Sequence, residues 1–464
     1  MCGRFLHNSW LRRVWVQILI MASMFVSSSW LPAANGAHVV PKSTYEGKTT
    51  YSYAYEKSVQ GLNPRWTFML GQPSDAFDGE GRAALSGDLA LFVKNDKLNA
   101  SSVVTGKLQW SVGKTIRAPL SVIGSSVYVT SWKNELFRYD VRSGKLLWTY
   151  AYKNNPALSD MVNDSASFTM QASGELLLFR YMGMLVALDA KTGKMRWTWS
   201  DAESYMQEIF VLNIAGATPM VLVPSEKNSP NDGVNFHALD LKTGKRLWSA
   251  GPTLGPLLGV VNNRLLFEDL TPRTVKDRFE LKLAVLDRSN GKRIETRSFL
   301  PVARGKDPLT AQAKQIALNG IDLYVQSNEG TIYRFDVRNP GLKTPLPLSK
   351  RVNWIAGPHR DKLFFAKERF DGLLSVKTVN GSEWFYPALD NPVGKLLLHN
   401  NGLYVAQTDG ELFAIDLTTG KPLFRYQAQS QYFPALQVSG SRLMVEAEDR
   451  FFTFELPPAL LKNN

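Results

Sequence analysis

From residue 63 to about residue 456, apolar positions recur with a period of two, in short runs separated by Gly, Asp, Asn and Ser. The stretch GLYVAQTDGELFAIDLTTGKPLFRY (402–426) shows the pattern best. Leu403 and Val405 alternate with Tyr404 and Ala406. TDG interrupts, and Leu412, Ala414 and Asp416 then alternate with Phe413 and Ile415. Alternation broken by Asp-Gly predicts a hairpin, because Gly supplies the positive φ of a tight turn. A second turn, TTGK, leads into a strand ending in LFRY, and KLLLH (395–399) opens the group. Each group therefore predicts four antiparallel strands, and no stretch of this region reads as an amphipathic helix.

The turn is a repeat. ALDAKTGKMRW (187–197) and ALDLKTGKRLW (238–248) differ at three of eleven positions. Its glycine recurs as Gly106, Gly144, Gly193, Gly244, Gly291, Gly341, Gly381 and Gly420, at spacings of 38 to 51 residues. An aromatic follows four residues later as Trp110, Trp148, Trp197, Trp248 and Phe424, and three residues later as Trp384. Glu295 takes that place after Gly291. An Asp precedes the glycine by four at Asp140, Asp189, Asp240, Asp287 and Asp416, and by five at Asp336. The carboxylate closes an Asx-turn, the Gly takes the left-handed conformation, and the ring reaches the next sheet.

Apolar residues on both faces require each sheet to be covered twice, and open edges invite aggregation. Sheets packed face to face around an axis meet both demands, so the fold class is all-β, a single β-propeller of four-stranded antiparallel blades. A β-solenoid, which favours shorter coils and parallel pairing, is the competing repeat architecture. The C-terminal stretch YFPALQVSGSRLMVEAEDRFFTFELPP (432–458) supplies only three strands, and NPRWTFML (63–70) supplies a fourth. The ring is thus expected to close through an N-terminal strand. Eight turn glycines plus this composite sheet allow nine blades.

The pattern Ala-x-Asp-x-x-Thr-Gly-Lys-x-x-Trp resembles the tryptophan-docking repeat of pyrroloquinoline quinone (PQQ)-type propellers. It is complete at 187–197 and 238–248 and partial at 138–148, 285–295 and 414–424. The resemblance favours eight blades, with either residues 82–112 or the Gly291 group not independent. It also implies two functional branches: quinoprotein dehydrogenases, which use PQQ and calcium, and non-catalytic binding propellers.

The first 37 residues change the chemistry. Arg4, Arg12 and Arg13 precede the apolar run VWVQILIMASMF, and SSSWLPAANGA follows. That order predicts a signal peptide, residues 1–37, cut after Gly36 or Ala37. The run is shorter than the roughly 20 residues a membrane-spanning helix needs, so no membrane span is expected in the mature form. Cleavage would remove Cys2, the sole cysteine, and lower the net charge from +13 to +10. Residues 38–62 are polar and predict an extended, flexible N-terminal arm; residues 63–460 form the propeller.

Chemistry is sparse. Without cysteine, the disulfide that the resemblance places against the quinone is impossible. No cluster of Asp, Glu and Asn is assignable to a calcium site, which needs six or more oxygens. His38, His237, His359 and His399 show no metal-ligand spacing. Asp409 with Glu411, and Glu446 with Glu448 and Asp449, are the carboxylate groups a hydrolase would need. The loops at 151–168, 225–233, 270–282 and 302–315 are candidate rim loops, and the two last are basic. The reading is a secreted, monomeric, non-catalytic propeller that binds a protein or an anionic envelope polymer. It has no cofactor, no catalytic or metal site and no specific nucleic acid partner. The alternative is a PQQ- and calcium-dependent dehydrogenase, or another enzyme, using the central channel.

Overall fold

The structure is a computed structural model that describes residues 38–39, 43–47, 63–70, 81–152, 168–181, 184–200, 204–206, 209–227, 234–271, 280–300, 313–341, 345–367 and 372–462. The predicted leader (1–37) lies outside these residues, as do most of the four candidate rim loops. No helix among the described residues is long and apolar enough to cross a membrane.

The period-two stretches fold as antiparallel meanders. Blade 1 is Ala83–Ser86, Leu89–Lys94, Lys97–Ser102 and Leu108–Val112, paired in sequence order. Blades 2 to 8 follow at 116–151, 168–200, 204–254, 254–299, 313–350, 354–385 and 393–427, except that two short strands, Ser204–Met206 and Phe210–Leu212, together pair with Met220–Lys227 in blade 4. Blade 9 is composite: Leu436–Ser439, Arg442–Ala447 and Arg450–Glu455 take their fourth strand from Trp66–Met69. Trp66 pairs with Thr453 and Met69 with Arg450, and Phe68 stacks on Phe451 at 4.8 Å.

The described strands therefore group into nine sets, distributed over eight sheets. The expectation of eight treated residues 82–112 or the Gly291 group as not independent. Residues 83–112 form a sheet of their own, whereas the Gly291 group takes its first strand from one that also ends blade 4. Blades 4 and 5 share one eight-stranded sheet because the strand Arg246–Val261 runs unbroken from one into the other. Leu254 is its pivot, paired with Val234 of blade 4 and Asp269 of blade 5.

Both faces of each sheet are covered. Among the described residues, hydrophobic clusters fill the junctions from blades 1 and 2 (Leu91, Leu98, Val127, Val129) round to blades 8 and 9 (Tyr404, Leu412, Leu443, Phe454). The last cluster joins Met444 and Phe451 of blade 9 to Ala83, Leu85 and Phe92 of blade 1. First strands of successive blades approach one another, so the sheets converge there and fourth strands lie outermost.

Of residues 38–62, residues 38–39 and 43–47 are described. His38–Val39 pairs in parallel with the innermost strand of blade 6, Ala313–Asn319. Thr44–Glu46 pairs antiparallel with the innermost strand of blade 8, Val393–His399. A free arm leaves its backbone groups to water. Here the exposed inner edges offer unpaired N–H and C=O groups, and the arm takes them.

Candidate functional site

The repeated turn carries the strongest sequence signal. Asp189 Oδ1 accepts from Thr192 N at 2.8 Å and Thr192 Oγ1 at 2.9 Å, and Gly193 N donates to Asp189 O at 2.8 Å. Asp140, Asp240 and Asp287 repeat this with Ser143, Thr243 and Ser289. The Ser143 hydroxyl holds the Asp140 carboxyl below its ordinary range, and Ser289 does the same for Asp287. Arg196 lowers Asp189, and Arg338 brings Asp336 down to about 2.

The glycine is a floor for a ring. A Cβ on Gly144, Gly193, Gly244 or Gly291 would lie 2.4–2.7 Å from Trp110, Trp148, Trp197 or Trp248 of the preceding blade. Each indole also donates to the blade it docks on, Trp148 to Ala190 O at 3.1 Å and Trp197 to Leu241 O at 3.1 Å. Trp66 of the composite blade stands over Gly106 in the same way. The carbonyl of Leu348 occupies the corresponding place at Gly381.

The sixth turn departs from prediction. A Cβ on Gly341 would meet nothing, and Gly341 N donates instead to Ser298 O of blade 5 at 3.0 Å. Glu295, where blade 5 needs a ring, bonds Arg264 and Arg297. Without an aromatic to seat, the turn has no use for its glycine.

Chemical groups gather at the opposite rim, where first strands begin and second strands end. Asp390, Asp409 and Glu411 each bring one carboxylate oxygen within 4.8 Å of the others. Asp390 comes from the segment entering blade 8, Asp409 from the 408–410 hairpin, and Glu411 from the start of the following strand. Asn391 Nδ2 donates to Asp409 Oδ2 at 2.7 Å and Asp390 Oδ1 at 3.3 Å, and Glu411 N donates to Asp409 Oδ1 at 3.1 Å. The Arg425 guanidinium pairs with Glu411 and lies 5.4 Å over the Phe413 ring. Burial lowers the Arg425 pKa, while Asp390 and Asp409 act to raise it.

This donor set does not fit the calcium ion that the resemblance implies. Calcium takes six to eight oxygens, whereas here a guanidinium already neutralises Glu411. Sequence pairing found Asp409 and Glu411. It missed Asp390, Asn391 and Arg425, which other segments bring to the spot. A run of polar residues ending otherwise apolar second strands was the available signal: Thr130, Glu268, Gln326, Gln407 and Glu446, all buried.

The other nominated carboxylates do not form a pair. Glu446 is fully buried; Oε2 and Oε1 accept from Arg82 N at 2.8 and 3.0 Å, and burial pushes its carboxyl up. Asp449 pairs with Arg450 at 2.7 Å, and the Glu448 carbonyl accepts from Arg82. Among the histidines, His237 bonds Ser249 and His359 bonds Asn400 O. Beyond these, a cleft of about 460 Å³ between blades 3 and 4 is lined by Leu176, Arg196, Pro219, Leu241 and Lys242.

The family described as outer membrane protein assembly factor BamB matches residues 56–204 and 377–455. The lanthanide-dependent methanol dehydrogenase of Methylorubrum extorquens is 30% identical over 179 residues, 36% of this chain and 29% of that protein. The quinone alcohol dehydrogenase subunit of Gluconacetobacter polyoxogenes is 31% identical over 169 residues, 33% and 22% of the two chains. The chain thus spans less than a third of these relatives' length. Among solved structures, BamB from Moraxella catarrhalis has a TM-score of 0.45 at 15% identity, covering 85% of this chain and 100% of that one. Quinohemoprotein alcohol dehydrogenase from Comamonas testosteroni has a TM-score of 0.46 at 13% identity, covering 87% and 77%. Over residues 56–204 and 377–455 the chain carries PQQ-type repeats like those of the BamB assembly factor family.

Proposed function

We propose that this chain is a non-catalytic scaffold, exported from the cytoplasm, that binds a protein or an anionic polymer of the cell envelope through its rims. The observation that carries this reading is the use already made of its carboxylates. Glu411 is matched to Arg425, Asp409 to Asn391, Glu446 to Arg82, and Asp449 to Arg450. A general acid and base need a carboxyl pair directed at a substrate, with pKa values set apart. These groups instead tie loops and blades together. The leader-like first 37 residues and the +10 charge that cleavage leaves support export and an acidic partner. BamB is by its description an assembly factor, and a scaffold fits that company.

Adding PQQ and calcium to the purified chain tests the reading against a dehydrogenase. The scaffold is expected to give no bound-quinone absorbance and no dye-linked oxidation of primary alcohols. Retention on isolated envelope, weakening as salt is raised, is expected beside it. Turnover of any alcohol by the loaded chain would overturn the proposal.

A further inference from the structure

The arm in the channel has a geometry of its own. Leu398 N donates to Ser43 O at 2.6 Å, and Gly47 N donates to Gly394 O at 2.6 Å. Between these bonds, Thr44, Tyr45 and Glu46 face Leu397, Leu396 and Lys395. Tyr45 packs, half-buried, on the cluster that joins blades 7 and 8. Glu46 reaches Lys395 Nζ at 2.9 Å, and the Lys395 side chain is only 16% exposed. A Cβ on Gly47 would lie 1.9 Å from Val393 O, so the backbone approach requires glycine there. The site therefore selects three things in order: an aromatic ring, a carboxylate and a glycine.

The attachment is short, and its direction matters. His38–Val39 runs with the inner strand of blade 6, while Thr44–Glu46 runs against that of blade 8. The arm thus enters and leaves at one end of the channel, the end where inner strands begin. Fifteen residues, 48–62, separate Gly47 from the next described segment. A three-residue strand carried on the same chain sits at high local concentration, and its few main-chain bonds leave it open to competition.

We propose that the inner edge of blade 8, Val393–His399, is a strand-docking site that Ser43–Gly47 fills in cis. An extended segment of a partner protein with the same aromatic–acidic–glycine order takes its place when it displaces the arm. Main-chain pairing supplies affinity, and the Tyr45 and Glu46 positions supply selectivity. The partner rests on the scaffold reading; the docking site itself does not.

The test uses the full chain and a labelled synthetic peptide of residues 38–50. Fluorescence anisotropy is expected to show at least tenfold tighter binding to the Gly47→Val chain than to the unaltered one, because the altered arm no longer competes. Reversing the charge at Glu46 in the peptide is expected to cost at least tenfold, with recovery on a chain carrying both Gly47→Val and Lys395→Glu. Hydrogen exchange at the Leu398 amide reports the arm directly. It is expected to be fast in Gly47→Val and slow again once peptide is added. A Leu398 amide that stays protected in Gly47→Val overturns the proposal, as does a peptide that fails to bind once that amide is open. Quinone turnover would defeat the scaffold reading and leave these outcomes unchanged.

Discussion

Each docking tryptophan does two things, and its neighbours divide the cost. Trp197 is 7% exposed, covers Gly244 and donates to Leu241 O, whereas Trp384 sits on Gly420 but stays 46% exposed. The glycine beneath must take φ near +70° and must also lack a Cβ. Gly193→Ala meets both penalties: left-handed strain of about 1–2 kcal/mol and a ring forced off its seat. Gly341→Ala meets neither. Thermal unfolding is expected to show a clear loss for Gly193→Ala and a midpoint unchanged within error for Gly341→Ala. Trp197→Ala should cost about 3–5 kcal/mol, as for other buried aromatics, and Trp384→Ala distinctly less. Equal losses at the two glycines would remove the docking account of the turn. The Asp-x-x-Thr-Gly-Lys-x-x-Trp spacing disclosed these roles because one short segment makes the turn and starts the strand that carries the ring. It misled at Gly341, where glycine persists without a ring to seat, and at Gly381, where the Leu348 carbonyl stands in the ring's place.

At the scale of the element, period-two alternation located the strands, and Asp-Gly located the hairpin. What it left open was where one blade stops. Arg246–Val261 crosses from blade 4 to blade 5 as one strand, and Gly251 permits the bend, since a Cβ there would lie 2.6 Å from Val234 O. A continuous ladder couples the two blades through main-chain bonds, whereas side-chain packing dominates the other junctions. Hydrogen exchange is therefore expected to protect residues 246–254 and 254–261 as one cooperative block. Independent opening of the two halves would contradict a shared sheet. The arm followed the same logic unseen: its polar, aperiodic sequence gave no strand signal, because the edge it pairs with supplies the order.

Across the whole molecule, junctions between neighbours add up to a ring, and the joint between blades 9 and 1 is the one made by the chain's two ends. There Glu446 and Arg82 meet across 364 positions of sequence. Breaking a buried pair of this kind leaves a charge without its partner, at about 3–5 kcal/mol. Acid acts on the ring through two opposed groups. Asp140, Asp189, Asp287 and Asp336 have folded pKa values below their unfolded ones. Their contribution is present above about pH 4 and is lost as pH falls through the folded values. Glu446 has a raised pKa, so its contribution is full when protonated and declines as pH rises through its folded value. Four turns outnumber one closure carboxyl. The melting temperature is expected to fall between pH 4 and pH 2. Glu446→Gln is expected to flatten any decline above pH 4 without altering the acid limb. A melting temperature rising toward pH 2 would refute the assignment.

The sequence by itself determined the repeat, the strand alternation, the docking residues and the need for a composite last blade. Those features are local, written within one turn or one strand, and burial on both faces forces the rest. Only the tertiary structure decided that the strand Arg246–Val261 serves two sets of strands, and that residues 38–39 and 44–46 lie along inner edges. It alone brought Asp390 and Arg425 to Asp409 and Glu411, and Arg82 to Glu446. The first of these contacts join consecutive strands of blade 8, which the meander lays side by side, and the last joins segments 364 positions apart, where blade 9 packs on blade 1.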